Sequence, residues 1–260
     1  MKLTVPDYIR TIQPYKPGKP LEELEREYGI RDSIKLASNE NPLGPSPRAV
    51  AAIQKNLANL HRYPDASGHH LIRKLSKMLK VMPEQIVLGN GSDDLIGMLV
   101  RTLLEPGDEV LMPRPSFLIY EIMARSVGAS PIPVALDSAL AIDLTAMARG
   151  IRPQTRMIFL CNPNNPTGTI IAHPEFQAFL QDLPPHIVTV VDEAYIEFVR
   201  NARCARSIDC VNGDRPVVTL RTFSKAYGLA GLRIGYGIMS AELAGYLHRV
   251  RLPFNVSIPA

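Results

Sequence analysis

The chain has 260 residues, of which 46% are hydrophobic and 21% are charged, a composition that is ordinary for a soluble globular protein of one or two domains. Its formal net charge is +4, and no block of lysine and arginine is long enough to indicate a nucleic-acid partner. The N-terminal segment lacks the apolar core of a signal peptide and no apolar run could span a bilayer, so we expect a cytoplasmic protein with no membrane partner. The three cysteines show neither CxxC nor Cys/His spacing, so we expect no disulfide framework and no metal site.

The first thirty or so residues are predicted to form an arm and not a domain of their own. Prolines at positions 6, 14, 17 and 20 interrupt this segment, and a short charged helix, "LEELEREY", is expected to close at Gly29. The next segment, "SPRAVAAIQKNLANL", has apolar residues at the spacing of one helical face, namely Ala49, Val50, Ile53, Leu57 and Leu60. "HHLIRKLSKMLK" repeats that period, so both segments are predicted to be helices.

From there to the end, short apolar runs alternate with amphipathic segments. The predicted strands are "QIVLGN", "DEVLMP", "SPIPVALD", "TRMIFLCNP", "IVTVVDEAY", "PVVTLRTF" and "IGYGIMS". The predicted helices between and after them are "SDDLIGMLVRTLL", "FLIYEIMARSVG", "DLTAMARG", "EFQAFLQDL" and "AELAGYLHRVR". Strands that are apolar throughout indicate a sheet buried on both faces, so the fold class is α/β, with a mostly parallel sheet and helices on both sides.

Polar, sharply turned stretches follow four of these strands, at the sheet edge where such folds bind ligands. The first is "GNGSDD". A glycine-rich turn that opens a helix presents free backbone N–H groups and the positive end of the helix dipole, so Gly91, Ser92 and Asp93 are candidates to bind an anion. The segment matches neither the Walker loop nor the dinucleotide-binding fingerprint, which argues against a nucleotide-binding domain. The alternative is that Ser92 or Asp93 only caps the helix.

The second stretch, "CNPNNPTG", combines prolines and asparagines directly after a strand. Prolines restrict the turn, and this restriction would hold Asn165 in one direction. The alternative is an ordinary Asn-Pro turn without a ligand. The combination of "NPTG" with a preceding apolar strand favours the functional interpretation.

The third stretch, "VVDEAY", places Asp192 directly after a buried strand. An unpaired carboxylate there would be costly, so Asp192 needs a cation or several hydrogen-bond donors. The cation could belong to a ligand, or the residue could serve in helix capping or a structural ion pair.

The fourth stretch, "RTFSKAYGLAGLRIGYG", contains Lys225. A lysine becomes a covalent catalyst when neighbouring cations or partial desolvation lower its pKa. Thr222 and Ser224 offer hydroxyl groups beside it, and Arg233 has a guanidinium fork suited to phosphate. One ligand would satisfy all four strand ends, because pyridoxal phosphate has a phosphate, a protonated ring nitrogen and an aldehyde.

The motifs also resemble those of a known family, the fold-type I pyridoxal-phosphate-dependent aminotransferases. The matching segments, in the family's order, are "SNENPLGPSP" (38–47), "RYPD" (62–65), "GNGSDDLI" (89–96), "PRPSFLIY" (113–120), "NPNNPTG" (162–168), "VVDEAY" (190–195) and "RTFSKAYGLAGLRIGYG" (221–237). The lysine and "NPNNPTG" segments are specific to the aminotransferase group. "NENP", "RYPD" and "GNGSDD" favour its histidinol-phosphate branch.

The resemblance implies a role for each matching residue. Lys225 would bind the cofactor covalently and move the substrate proton, and Asp192 would keep the pyridine nitrogen protonated. Tyr195 and Asn165 would hydrogen-bond the ring hydroxyl oxygen, and Tyr195 is counted with Lys225 and Asp192 as catalytic. Phe117 would stack on the ring, where relatives often have tyrosine.

Further residues are implied to hold the cofactor's phosphate. They are Gly91, Ser92, Asp93 (through its backbone N–H), Thr222, Ser224 and Arg233. Tyr63 would reach the phosphate of a neighbouring subunit, so the resemblance implies a homodimer. The N-terminal arm, with Tyr15, is implied to cover the substrate.

The implied reaction converts L-histidinol phosphate and 2-oxoglutarate to imidazole acetol phosphate and L-glutamate, in histidine biosynthesis. Two sister activities on the same fold remain alternatives, an aromatic-amino-acid aminotransferase and a threonine-phosphate decarboxylase. A non-catalytic or sensory relative is a third, against which the presence of Lys225, Asp192 and Arg233 argues.

The resemblance also implies a domain organisation. Residues 1–45 would form the arm and part of a small domain, residues 46–252 the large cofactor-binding domain, and residues 253–260 the start of a hinge to a small C-terminal domain that this sequence lacks. That domain normally supplies the arginine that binds the carboxylate of the glutamate co-substrate. We therefore expect a fragment that can bind the cofactor but has poor turnover.

Overall fold

The computed structural model describes residues 3–260. A seven-stranded sheet forms its centre, with strands β1 (Ile86–Gly89), β2 (Glu109–Arg114), β3 (Ser130–Ala135), β4 (Thr155–Cys161), β5 (Val188–Asp192), β6 (Val217–Thr222) and β7 (Gly235–Ile238). The strand order is β1-β7-β6-β5-β4-β2-β3. The neighbours from β6 to β3 pair in parallel, while β7 is antiparallel to both β1 and β6. The predicted α/β class with a mostly parallel sheet is confirmed.

The helices are α1 (Asp7–Arg10), α2 (Leu21–Tyr28), α3 (Pro47–Asn56), α4 (His69–Leu79), α5 (Ser92–Leu103), α6 (Ile119–Ser126), α7 (Leu144–Arg149), α8 (His173–Asp182) and α9 (Ala241–Val250). Local sequence signals explain several helix ends. Gly29 ends α2 in the left-handed conformation, and the Asp143 side chain accepts a hydrogen bond from the Ala146 N–H at the start of α7. Among the described residues, no helix has the length and apolar character needed to cross a membrane.

Helices cover both faces of the sheet. Val190 and Val218 face the cluster that contains apolar residues of α5, α6 and α9. Val191 and Val217, one residue away in each strand, face the cluster that contains residues of α7 and α8. Successive side chains of a strand point to opposite faces, so burial on both faces accounts for the uninterrupted apolar strands of the sequence.

The segment before the sheet is much less buried. Helices α1, α2 and α3 contain no buried residue. The segment nevertheless reaches the sheet edge, because Asn41 Nδ2 donates to the Ala226 carbonyl oxygen at 2.9 Å. The predicted arm therefore approaches the turn that contains Lys225, and the domain boundaries remain predictions.

Candidate active site

The carboxyl ends of β4, β5 and β6 and the start of α5 surround a cavity of about 500 Å³. Most of the predicted site residues line it, namely Ser92, Asp93, Phe117, Asn165, Asp192, Tyr195, Thr222, Ser224, Lys225 and Arg233. Gly91 is the residue before Ser92 in the chain, and Tyr15 of the arm also lines the cavity. The structure thus brings together residues from four separate strand ends.

Tyr63 does not line this cavity. Its side chain is 80% exposed, and its ring stacks on that of Phe254 at a centroid distance of 4.7 Å. Its predicted role belongs to the cavity of another subunit, so this position within one chain does not test it.

Asp192 lies at the buried side of the cavity and is only 2% exposed. Its carboxylate accepts hydrogen bonds from the Tyr120 hydroxyl at 2.8 Å and from the Ala194 N–H at 3.1 Å. Burial nevertheless raises the pKa of Asp192 from 3.8 to about 6. Among residues 3–260, the carboxylate therefore has donors but no cation in contact, and a cationic group in the cavity would stabilise its charge.

Tyr120, to which the sequence motifs assign no role, contacts two residues that line the cavity. Its ring is fully buried and lies parallel to that of Phe159, with centroids 4.6 Å apart. The ring of Phe117 meets its edge at 5.6 Å. Tyr120 therefore supports two cavity residues, Asp192 and Phe117. The available signal was a tyrosine on the apolar face of a predicted helix, where a buried hydroxyl needs a partner.

Lys225 lies in the turn after β6, and its Nζ donates to the Ser38 carbonyl oxygen at 2.8 Å. Burial lowers the pKa of Lys225, and Arg233 lowers it further, while the carboxylates of Asp93 and Asp192 oppose this shift. A lowered pKa increases the fraction of neutral, nucleophilic amine. The Nζ also lies 5.7 Å from the centre of the Tyr195 ring.

The start of α5 follows a glycine-rich turn and lies at the edge of the cavity. No side chain of the described part of the chain caps this end, so the structure does not show Ser92 or Asp93 as a helix cap. Gly91 precedes the helix at φ +79°, and a Cβ at this position would collide with the Arg233 guanidinium. A Cβ on Gly235 would lie 2.6 Å from the Ser92 backbone nitrogen. Gly91 therefore lets the Arg233 guanidinium lie against the start of α5, and Gly235 lets β7 approach the same backbone closely.

Hydroxyl groups and a guanidinium complete this surface. Thr222 Oγ1 donates to Ser224 Oγ at 2.9 Å, and Arg233 Nη1 donates to the same oxygen at 3.4 Å. The Asp93 carboxylate lies 3.7 Å from Arg233 Nη2, and burial raises the pKa of Asp93. The uncapped helix end, the hydroxyls and the guanidinium are a donor set that fits a phosphate group.

The asparagine-rich loop after β4 is held by its own side chains. Asn162 Nδ2 donates to the Ala205 carbonyl oxygen at 3.0 Å, and Asn164 Oδ1 accepts from Ser116 Oγ at 2.9 Å. Asn165 is left to line the cavity. Across from it, the Tyr195 hydroxyl accepts a hydrogen bond from Asn39 Nδ2 at 2.9 Å, and burial raises the pKa of Tyr195.

The comparisons with known proteins agree with this geometry. The family model for class I and II aminotransferases matches residues 31–260. The chain is 47% identical to a histidinol-phosphate aminotransferase of Moorella thermoacetica, with the alignment covering 99% of this chain and 67% of that protein. It is 48% identical to histidinol-phosphate aminotransferase 1 of Thiobacillus denitrificans, with the same two coverages.

A solved structure is also similar. The histidinol-phosphate aminotransferase of Sinorhizobium meliloti, in complex with pyridoxal-5'-phosphate, superposes with a TM-score of 0.89 at 29% identity. That alignment covers 97% of this chain and 67% of the solved one, so the chain spans about two thirds of the length of these relatives. The family match over residues 31–260, together with these identities, establishes that the chain belongs to the class I and II aminotransferases.

Proposed function

We propose that this chain carries the cofactor site of a pyridoxal-phosphate-dependent enzyme that transfers the amino group of L-histidinol phosphate to 2-oxoglutarate. The observation that carries the proposal is the meeting of a partly buried amine, a buried carboxylate and an uncapped helix start in one cavity, contributed by Lys225, Asp192 and α5. The names of the relatives support the choice of amino donor.

The residues of the cavity fit pyridoxal 5'-phosphate. Arg233, Thr222, Ser224 and the α5 N–H groups would hold the phosphate. When it is bound, the cofactor supplies an electron sink for the electrons released at the substrate Cα. Asp192 would face its ring nitrogen, because a buried carboxylate with a raised pKa gains most from a cationic partner.

The remaining polar groups would orient the ring. Asn165 and Tyr195 would hydrogen-bond its hydroxyl oxygen, and Phe117 would pack on its face. Lys225 Nζ would hold the cofactor covalently at its aldehyde carbon until the amino group of the donor displaces it, and the freed neutral amine would then take the proton from the Cα of the donor. The lowered pKa of Lys225 suits both tasks, since each requires the neutral amine.

A second cavity of about 920 Å³ leaves room for the substrate. It shares Asn39, Glu40, Asn165, Tyr195 and Lys225 with the first cavity. An amino donor bound there would have its reacting carbon beside Lys225, and the oxo acid would use the same space in the second half of the reaction.

We also propose that the enzyme is a homodimer. Helix α3 is amphipathic yet has no buried residue. After it, Leu57 is 50% exposed and Leu60 is 56% exposed. An apolar face of this kind is covered when a second subunit packs on it. Tyr63 follows Leu60 by three residues and is 80% exposed, and it would then reach the phosphate site of the partner.

The test is a titration of the purified chain with pyridoxal phosphate, followed by visible absorbance, borohydride reduction and peptide mass mapping. We expect a cofactor band and a reduced adduct on the peptide that contains Lys225. Lys225→Ala should lose both, while Lys77→Ala, at an exposed lysine of α4, should retain both. A band that is absent from the natural chain, or unchanged in Lys225→Ala, would contradict the proposal.

The amino donor is tested separately by single-turnover absorbance changes. L-Histidinol phosphate should convert the cofactor band faster than phenylalanine, tyrosine or phosphothreonine. A clear preference for an aromatic amino acid, or release of carbon dioxide from phosphothreonine, would replace the proposed substrate with one of the sister activities and would leave the cofactor site intact.

A further inference from the structure

An ion pair lies behind the candidate site, buried next to two of its residues. Glu193 has no exposed surface and Arg221 is 7% exposed. Glu193 Oε2 accepts from Arg221 Nε at 2.9 Å and from Nη2 at 2.8 Å. Glu193 Oε1 accepts from the Ser207 backbone N–H at 2.6 Å and from its hydroxyl at 2.8 Å. Both carboxylate oxygens are therefore fully paired.

The ion pair is adjacent in sequence to residues that line the cavity. Asp192 precedes Glu193 at the end of β5, and Thr222 follows Arg221 at the end of β6. Successive residues of a strand point to opposite faces. Asp192 and Thr222 accordingly line the candidate site, whereas Arg221 lines a separate cavity beside α4.

The ion pair also stands where the parallel ladder between β5 and β6 ends. The last paired residues are Asp192 and Leu220, and one further backbone bond follows, from the Glu193 N–H to the Leu220 carbonyl oxygen at 2.8 Å. Beyond this point, the position of the end of β5 relative to the end of β6 depends on side chains. The Glu193–Arg221 bonds supply that connection, and Ser207 ties in the segment that follows Tyr195.

We propose that Glu193 and Arg221 are positioning residues, which hold Asp192 at the end of β5 and the Lys225 turn after β6 at the separation that the cofactor requires. The proposal rests on the proposed function. Stability alone does not account for the pair, because well-packed apolar residues in place of a buried ion pair are often equally stable or more stable. A positioning role does account for the pair, since a site that must contact two ends of one ligand loses affinity when the protein groups that make those contacts shift.

Three variants separate positioning from stability. Glu193→Gln leaves the Arg221 charge without its partner. The double variant Glu193→Leu with Arg221→Met replaces both charges by apolar side chains of similar size. Leu180→Ala makes a cavity in the last turn of α8, away from the strand ends, and serves as the destabilised control. Each variant is measured for urea unfolding without cofactor, for the pyridoxal phosphate dissociation constant, and for the pH midpoint of the visible band.

We expect Glu193→Gln to raise the dissociation constant by about tenfold, which corresponds to about 1.4 kcal/mol, and to shift the pH midpoint of the band. The double variant should recover most of the unfolding stability but keep the weakened cofactor binding. Leu180→Ala should lose stability and bind the cofactor normally.

A double variant with both normal stability and normal cofactor binding would overturn the proposal, because apolar packing would then serve equally well. Equal loss of affinity in Leu180→Ala would also overturn it, because general destabilisation would explain the effect. If Glu193→Gln does not fold, the double variant and Ser207→Ala, which removes one hydroxyl donor to Glu193 together with its hydrogen bond to the Thr219 hydroxyl, still decide the question. Failure of the natural chain to form a Lys225-dependent band would instead refute the proposed function.

Discussion

Asp192 carries a charge that the fold disfavours, so its replacement by asparagine should stabilise the chain in the absence of cofactor. The residue is 2% exposed, and burial raises its pKa from 3.8 to about 6. Asparagine has nearly the same shape as the protonated acid. Its amide oxygen can accept from the Ala194 N–H, and its amide nitrogen can donate to the Tyr120 hydroxyl.

The size of the effect follows from the pKa shift. A rise from 3.8 to about 6 is about two pKa units, at about 1.4 kcal/mol each, so ionised Asp192 costs the folded chain about 3 kcal/mol. The folded chain binds this proton more tightly than the unfolded chain, so the cost appears as the pH rises from about 4 to 6 and is complete above that range. Asp192→Asn should therefore unfold with a free energy about 3 kcal/mol higher than the natural chain at about pH 8 and nearly equal at about pH 4.

The assay is urea unfolding of both chains at several pH values, with and without pyridoxal phosphate. The cofactor should stabilise the natural chain more than Asp192→Asn, because only a carboxylate forms an ion pair with a protonated ring nitrogen. Asp65→Asn provides a control of opposite sign. Backbone hydrogen bonding from His69, together with Ser67, lowers the pKa of Asp65 to about 2, so Asp65→Asn should destabilise at neutral pH and lose its effect as the pH falls through about 2.

Two results would refute this reasoning. One is an Asp192→Asn variant that is no more stable than the natural chain at alkaline pH without cofactor. The other is a gain in stability that does not shrink as the pH falls, because such a gain could not come from the ionisation of Asp192.

The remaining predictions concern the supports of the site. Tyr120→Phe removes one of the donors to Asp192 and should lower the free energy of unfolding by about 1–3 kcal/mol, measured by urea unfolding. Gly91→Ala should weaken pyridoxal phosphate binding by more than about tenfold in an absorbance titration, because its Cβ would displace the Arg233 guanidinium. The control Gly97→Ala, in the interior of α5, should bind the cofactor normally and should raise the free energy of unfolding by about 0.5–1 kcal/mol. Arg233→Gln should weaken the binding of pyridoxal phosphate by about 2 kcal/mol but leave the binding of pyridoxal nearly unchanged, and equal losses for both ligands would contradict its assignment to the phosphate.

Much of the candidate site was predictable because its signals are local. Asp192 ends β5, Asn165 and Lys225 lie in the turns that follow β4 and β6, and parallel strands deliver their carboxyl ends to one edge of a sheet. The glycine turn before α5 was predictable for the same reason, since a strand, a turn and a helix start are consecutive in the chain.

The sequence by itself therefore determined the α/β class, the strand ends that carry polar residues and the family to which they belong. Tertiary structure alone decided the rest. It inserted β7 antiparallel between β1 and β6, placed the Ser38 carbonyl oxygen on Lys225, and paired Glu193 with Arg221. Each of these features joins residues far apart in the chain, so no local pattern of apolar spacing or turn residues encodes the partner. The free energy of packing and of satisfying buried polar groups selects it only when the whole domain folds.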